Sequence, residues 1–410
     1  MAILLAMPLC SRAALSVTGS QSGQSFPIIS TSTATSILYD SNDAPVVGTA
    51  AKMLNSDIYA VTGKKLSVVT ANVATEYAII AGTVDSSAYI KQLSDAGKID
   101  VSKVKGKWEA FSIQKVDHPL DGITQALVIC GSDPRGTAYG LLELSRLMGV
   151  SPYIWWADVV PTHQSQVFID GDGMFCDSPS VQYRGIFIND EDWGILPWAR
   201  KGIDKKYNNL AVNTYEKIAD LMLRLRANIL WPCNHGSSRA FWTLQGNLDV
   251  ARNYGIVLGG GTMLRETLWE WPRYGQSSSD YNYATNRDVM LKYWAERVGQ
   301  SHGYISSRGF QDAPLLGYDN TADAVKGITG MIADQRKLIQ DSLGDPTTIP
   351  QLYMPYKEAL DLYNAGLQIP DDVILCWVDD NFGHIRQTPN ATEQARSGGN
   401  GIYYHLSYLT

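Results

Sequence analysis

The chain has 410 residues, enough for about two or three domains that each bury a core. A hydrophobic content of 45% and a charged content of 18% are typical of a soluble globular protein. The net charge of −7 and the lack of any long basic run argue against nucleic acid as a partner. No apolar run reaches the roughly 18 residues of a membrane span, so we predict no membrane insertion.

The beginning of the chain is a candidate export signal. Ala2 to Leu9 is apolar and is followed by Cys10 and small residues, as at a cleavage site, but a basic start is missing. The sequon at Asn390 is compatible with secretion. We therefore predict a secreted protein, extracellular or periplasmic, in which residues 1–24 are either a signal or a flexible lead-in.

The cysteines and histidines do not form a recognisable ligand set. Five Cys and six His are scattered along the chain, without a C-x-x-C motif or a Cys/His cluster. This distribution argues against structural zinc and against a disulfide scaffold. We predict that the protein uses no cofactor and no metal ion.

Residues 25–177 alternate between strand-like and helix-like patterns and predict an N-terminal α/β domain. A helix should begin at Pro45 and end at Gly63. A second helix is expected near residues 89–96. Strands are predicted at 66–69, 77–81, 111–116 and 126–130, with a further buried strand at 151–158.

A glycine-rich turn at 131–140 follows the strand at 126–130 and begins a helix. A strand, a glycine turn and a helix start are the parts of an anion-binding site. The turn matches neither a P-loop nor G-x-G-x-x-G, however, and no acidic residue is placed for a ribose. Close packing of the helix on the sheet is an equally good interpretation.

After a linker at 177–180, strand and helix patterns become regular over residues 181–410. Helices are predicted at 213–225, 284–299 and 321–343. Seven strands are predicted, at 184–188, 228–231, 254–258, 303–307, 349–354, 373–378 and 401–404. The fold class is therefore α/β, with the N-terminal domain followed by a (β/α)8-type, TIM-like barrel that lacks its last strand.

Polar residues follow the fourth, fifth and sixth of these strands. Arg308 and Asp312 follow the fourth, Glu358 follows the fifth, and Asp379 to Asn381 follow the sixth. In a parallel barrel, catalytic groups gather where strands end, so these residues predict an active-site rim. The alternative is that they only cap helices and turns.

Several motifs resemble glycoside hydrolase family 115, the xylan α-1,2-glucuronidases, and the chain resembles a C-terminally truncated member. The similarity extends from about residue 25 to the end of the chain. The motifs are Gly131-Ser132-Asp133, Trp155-Trp156-Ala157-Asp158, Tyr183-Arg184-Gly185-Ile186-Phe187-Ile188-Asn189-Asp190-Glu191, Leu230-Trp231-Pro232, Asp379-Asp380-Asn381 and Gly401-Ile402-Tyr403-Tyr404-His405.

The resemblance implies a hydrolase that releases glucuronic acid, or its 4-O-methyl ether, from xylan side branches with inversion. The implied partner is glucuronoxylan or its oligosaccharides, and a homodimer is the assembly that we consider. The functional residues implied by position are Asp190, Arg308, Asp312, Glu358, Asn381 and His405. One departure is Gly259-Gly260-Gly261, where the family pattern leads us to expect a His-His-Glu-like segment.

Inverting hydrolysis needs two carboxyl groups about 6.5–9.5 Å apart, one protonated and one ionised. Glu358 and Asp312 are the predicted pair. The sequence does not decide which is the acid, and we prefer Glu358 as acid and Asp312 as base. Arg308 could bind the glucuronyl carboxylate or form a salt bridge with Asp312.

Asp190, Asn381 and His405 are predicted to bind substrate hydroxyls or water, with a helix start, a turn cap and a structural histidine as the alternatives. The competing functional hypothesis is an inactive or carbohydrate-binding remnant of such an enzyme. A hexosaminidase-like hydrolase would need adjacent Asp-Glu after the fourth strand. Gln311-Asp312-Ala313 argues against it.

Overall fold

The computed structural model describes residues 10–11, 15–23, 25–31, 33, 35–188, 194–232, 237–259, 282–300, 318 and 320–406. The chain forms two compact units. Unit 1 comprises Met1–Gly185, Tyr215–Asn228 and Asp249–Ile256, and unit 2 comprises Ile186–Thr214, Ile229–Leu248 and Val257–Thr410. The domains at 25–177 and 181–410 remain predictions.

Unit 1 is built on a seven-stranded mixed sheet and a three-stranded antiparallel sheet. The strands are β1 (Cys10–Ser11), β2 (Ser16–Thr18), β3 (Phe26–Ile29), β4 (Thr35–Tyr39), β5 (Ser67–Val69), β6 (Thr75–Thr83), β7 (Phe111–Asp117), β8 (Ile123–Gly131), β9 (Val167–Asp170) and β10 (Gly173–Cys176). The large sheet has the order β1-β10-β7-β8-β6-β4-β5, and the small one β2-β9-β3. Strands β5, β4, β6 and β8 run parallel, and β7, β10 and β1 continue the sheet antiparallel.

Helices α1 (Pro45–Thr62), α2 (Ala88–Asp95) and α3 (Pro134–Leu147) cover the large sheet. Alternate residues of β6 lie in different apolar cores: Ile79 belongs to the core with α1 and α3, whereas Ile80 belongs to the core with α2. Burial on both faces explains the continuous apolar runs of the central strands, at 78–81 in β6 and 126–130 in β8. Gly63 ends α1 with a left-handed φ of 72°, which confirms the predicted helix end.

The glycine turn before α3 is explained by close packing. A Cβ at Gly131 would lie 2.1 Å from the Thr137 nitrogen, and one at Gly136 would lie 2.4 Å from the Ala110 carbonyl oxygen. The N-terminus of α3 is capped by the Asp133 side chain, which accepts a hydrogen bond from the Gly136 N–H at 2.9 Å. These contacts account for the glycines without an anion.

The strand predicted at 151–158 is wrong. The segment forms turns, in which the Ala157 N–H donates to the Tyr153 carbonyl at 2.9 Å. The rings of Trp155 and Trp156 pack edge to face at 5.0 Å, and the Trp156 indole N–H donates to the Lys217 carbonyl. Tryptophan pairs can pack in this way in a turn, so apolarity alone did not indicate a strand.

The second half of the chain contains two three-stranded sheets. The strands are β11 (Gly185–Phe187), β12 (Ile229–Trp231), β13 (Val257–Leu258), β14 (Leu352–Tyr353), β15 (Ile374–Val378) and β16 (Asn400–Tyr403). The sheets have the orders β11-β12-β13 and β14-β15-β16. β12 pairs with β13 in parallel, and β15 pairs in parallel with both β14 and β16.

Helices alternate with these strands, as the repeating pattern predicted. They are α4 (Ile195–Lys201), α5 (Val212–Arg224), α6 (Gln245–Asn253), α7 (Tyr283–Gln300), α8 (Thr321–Leu343), α9 (Glu358–Asn364) and α10 (Ala391–Gln394). The predicted helices at 213–225, 284–299 and 321–343 are confirmed. Buried residues of α7, α8, α9, β14 and β15 share one apolar core that includes Trp294, Ile328 and Leu375.

Six predicted strands of this half fall on described residues and are present, whereas the one at 303–307 lies outside them. The architecture is therefore mixed α/β, and the eight-stranded barrel and its missing strand remain predictions. Within the described residues, no helix combines the length and the apolarity needed to cross a membrane.

Candidate active site

The ends of three strands from two sheets of unit 2 are joined by aromatic rings. Phe187, Trp231 and Tyr403 are the last residues of β11, β12 and β16. The rings of Trp231 and Tyr403 are stacked, with centroids 5.5 Å apart, and Phe187 lies 6.2 Å and 6.1 Å from them. The last residues of these three strands therefore lie close together in unit 2.

Asp379 directly follows β15, and its carboxylate is fully buried. The parallel register pairs Val378 with Tyr403, which brings Asp379 beside the residues that follow β16. Its Oδ2 accepts from the Gly383 N–H at 3.0 Å. Its Oδ1 accepts from the His405 N–H at 3.4 Å and contacts the His405 Nδ1. Asp379 and His405 therefore form a dyad across two adjacent strand ends.

Asn381 lies two residues further along the same loop. Its backbone has a left-handed φ of 75°, which asparagine tolerates better than most residues. The buried Tyr356, which follows β14, donates its hydroxyl to Asn381 Oδ1 at 2.6 Å. The same Tyr356 ring lies 6.2 Å from the His405 ring. Hydrogen bonds and ring contacts thus link the ends of β14, β15 and β16.

Asp380 stabilises the loop between these groups. Its Oδ1 accepts from the backbone N–H groups of Phe382 and His384, at 3.0 and 3.1 Å. Burial opposes ionisation, but these two hydrogen bonds and the nearby His384 imidazole lower the pKa of Asp380 below its usual range. Asp380 is therefore a carboxylate at neutral pH and is unsuited to a proton-donating role.

Glu358 is the first residue of α9 and is half-buried. The preceding residue, Lys357, has a φ of 50° and places its ammonium 5.0 Å from the centre of the Tyr356 ring. A cavity of about 50 Å³ is lined by Pro355, Tyr356, Lys357, Leu360, Val378, Asp379, Asp380 and Arg386. The lining of this cavity brings two cations together with two carboxylates.

Three of the six predicted site residues lie in the described part of the chain. Glu358, Asn381 and His405 follow three consecutive parallel strands, β14, β15 and β16. Asp190, Arg308 and Asp312 lie outside the described residues, as do Gly260 and Gly261. The assignment of the acid and the base therefore remains a prediction.

Sequence reasoning missed the roles of two residues at this site. Asp379 stood among the polar residues of the predicted rim without a contact to His405, and Tyr356 was not among the predicted site residues. Both positions carried a usable signal, because each lies within three residues of the end of a predicted strand. No group of three or more His, Cys, Asp or Glu side chains in the described segments could hold a metal ion.

Comparison with known proteins identifies the family. The family model described as glycosyl hydrolase family 115 matches residues 176–410. Over 93% of its length, the chain is 38% identical to a solved structure, BtGH115A, with a TM-score of 0.82. The chain belongs to glycosyl hydrolase family 115. BtGH115A is described as a 4-O-methyl-α-glucuronidase with specificity for decorated arabinogalactans, and the present chain spans 50% of it.

More distant structures share the fold. The Streptomyces plicatus N-acetyl-β-hexosaminidase in complex with thio-NAglucal is 12% identical, with a TM-score of 0.55 over 96% of this chain and 72% of its own. The β-N-acetylhexosaminidase of family GH20 from Streptomyces coelicolor is also 12% identical, with a TM-score of 0.54 over 96% and 73%. At this identity the likeness concerns the fold alone. Among curated proteins, none matches.

Proposed function

We propose that this family 115 chain is part of a glycoside hydrolase that releases glucuronic acid, or its 4-O-methyl ether, from xylan side branches. The observation that carries the proposal is the grouping of Glu358, Asn381 and His405 after three consecutive parallel strands. Family membership supplies the class of reaction. The proposal includes a (β/α)8-type barrel over residues 181–410, an exported protein, and the N-terminal domain at 25–177.

The proposed mechanism inverts the anomeric centre with two carboxyl groups. Glu358 protonates the leaving oxygen, and Asp312 activates a water on the opposite face of the sugar. Asp380 is not proposed as the acid, because its hydrogen bonds lower its pKa. Asp190 would position the water or a hydroxyl.

The negative charge of the substrate requires cations in a negatively charged protein. Arg308 is the proposed partner of the glucuronyl carboxylate, since a guanidinium can bind it through two parallel hydrogen bonds. Lys357 and Arg386 line the described cavity and would add positive potential beside it.

Sugar hydroxyls need neutral hydrogen-bonding groups in fixed positions. Asn381 is held by the Tyr356 hydroxyl, which occupies its side-chain oxygen and leaves the amide N–H groups to donate. His405 is held by Asp379. Both side chains are therefore orientated before a substrate arrives, which reduces the entropy lost on binding.

A second substrate class is favoured by one observation. BtGH115A, at 38% identity, has specificity for decorated arabinogalactans. The same acid–base pair could release 4-O-methylglucuronic acid from an arabinogalactan side chain, because the reaction concerns the uronic acid and not the polymer that carries it. The two substrate classes differ in the polymer sugar that departs as the leaving group.

The test is an assay of uronic acid release by the purified chain. Glucuronoxylan, decorated arabinogalactan and an unbranched xylan control are incubated with it, and the product is followed by proton NMR. We expect release from at least one branched polymer, with the β-anomer of the acid appearing first, as inversion of an α-linkage requires. Binding to the branched polymers without release would instead support the carbohydrate-binding remnant, and α-anomer as first product would contradict inversion.

A further inference from the structure

We propose that Asp379 is a positioning residue that holds His405 as the tautomer protonated on Nδ1. Nε2 then carries no proton, so towards a sugar hydroxyl this nitrogen acts as an acceptor. The inference rests on the proposed function in one respect, namely that His405 contacts the substrate. The tautomer itself follows from the hydrogen-bond partners of Asp379.

The hydrogen-bond donors around Asp379 determine which nitrogen of the His405 imidazole carries the proton. Oδ2 accepts from the Gly383 N–H at 3.0 Å, and Oδ1 accepts from the His405 N–H at 3.4 Å. Backbone amides can only donate, so both carboxyl oxygens of Asp379 already act as acceptors. The remaining contact, between Oδ1 and the His405 Nδ1, is therefore an N–H donating to a carboxylate oxygen.

The position of the ring is fixed by its neighbours. The Tyr403 ring packs edge to face on the imidazole, with centroids 4.8 Å apart, and the Tyr356 ring lies 6.2 Å away. The His405 side chain is only 12% exposed. A ring that is packed in this way cannot readily turn over to exchange its two nitrogens, so the tautomer and the orientation are set together.

An amide in place of the carboxylate cannot satisfy the same donors. In Asp379→Asn, one end of the side chain accepts and the other donates. Of the two backbone donors, the Gly383 N–H makes the shorter hydrogen bond, at 3.0 Å against 3.4 Å for the His405 N–H, so we expect the accepting end to face Gly383 and the NH₂ group to face His405 Nδ1. Because an NH₂ group donates, Nδ1 must then be the acceptor, and the imidazole proton moves to Nε2. The same change of tautomer occurs in the serine protease variant whose triad aspartate is replaced by asparagine.

The experiment reads the tautomer directly. The full chain is labelled with ¹⁵N-histidine, and two-dimensional ¹H–¹⁵N spectra are recorded at mildly alkaline pH, where an ordinary imidazole is neutral. His405→Gln identifies the His405 signals by their loss. We expect Nδ1 to carry the proton in the wild-type chain and Nε2 to carry it in Asp379→Asn. Asp361→Asn, at an exposed position of α9, should leave the His405 pattern unchanged.

The outcomes separate this inference from the proposed function. If the wild-type chain carries the proton on Nε2, or if a folded Asp379→Asn keeps it on Nδ1, the positioning role is wrong even where hydrolysis is observed. The wild-type spectrum decides this even if the variant does not fold. If uronic acid is released, Asp379→Asn should lower kcat/KM roughly ten- to a hundredfold, the cost of a mispaired buried group. If none is released, the proposed function fails but the tautomer assignment stands.

Discussion

Trp231 and Tyr403 stack with their ring centroids 5.5 Å apart, although 171 residues of sequence separate the ends of the two strands that carry them. This contact fixes the ends of β12 and β16 near each other in unit 2. Trp231→Ala should lower the free energy of unfolding by about 3–5 kcal/mol, because a large buried ring is lost. Urea unfolding followed by circular dichroism measures the change.

Ile402 provides the matched control for that prediction. It precedes Tyr403 on β16 but is 69% exposed. Ile402→Ala should change the stability by no more than about 0.5 kcal/mol, as for most surface substitutions. Equal losses in the two variants would contradict a special role for the stacked pair.

Glu109 is a second position at which a large loss of stability is expected. Its buried carboxylate contacts Arg135 at 2.5 Å, Asn228 at 2.8 Å, and Arg184. Glu109→Ala removes the buried carboxylate that two guanidinium groups share and should cost about 3–5 kcal/mol. Asp95→Ala, which removes the exposed Lys91–Asp95 pair, is the control and should cost less than about 1 kcal/mol. A small effect in both variants would show that the Glu109 cluster adds little stability.

Glu358→Gln tests the assignment of the catalytic acid. The variant should lower kcat on a polysaccharide by about 10²–10⁴-fold, because the leaving sugar oxygen is no longer protonated. On an aryl glucuronide with a good leaving group the loss should be much smaller, since that group departs without a proton. Asp361→Asn, in the first turn of the same helix, should retain activity on both substrates. Equal losses on both substrates would argue that Glu358 is the base or a binding residue.

The Tyr356 hydroxyl is predicted to act on substrate binding through Asn381. Tyr356→Phe removes one hydrogen bond, at 2.6 Å, without changing the shape of the ring. Losing it should raise KM roughly five- to tenfold, the equivalent of about 1 kcal/mol. Tyr353→Phe removes the bond from a nearby hydroxyl to the Ala359 carbonyl and should alter stability but not KM. An unchanged KM in Tyr356→Phe would mean that Asn381 does not need its tyrosine partner.

Tyr363 provides a pH-dependent prediction. Burial and a hydrogen bond to Glu393 at 2.8 Å raise its pKa to about 12. Because an unfolded tyrosine titrates near about 10, the folded form keeps a proton that the unfolded form loses. The contribution of Tyr363 to stability is therefore complete below about pH 10 and is lost as pH rises towards about 12. Tyr363→Phe should show a shallower alkaline loss of stability than the wild type in urea titrations, and parallel slopes over that range would contradict the assignment.

Much of the secondary structure could be predicted because its signals are local. The helix that begins at Pro45 and ends at Gly63 is visible in the periodicity of its apolar residues and in its terminal residues. The failure at 151–158 has a local cause as well. Two adjacent tryptophans make a segment apolar whether it is a strand or, as here, a turn held by ring contacts and an indole hydrogen bond.

The sequence by itself determined the family, the alternation of strands and helices, and the positions after strands at which polar residues stand. Only the tertiary structure decided that Asp379 holds His405, that Tyr356 holds Asn381, and that Trp231 stacks on Tyr403. The physical reason is that periodicity and capping depend on residues a few positions apart. A contact between strand ends depends on the register and twist of strands that are distant in the chain, and no local pattern specifies these.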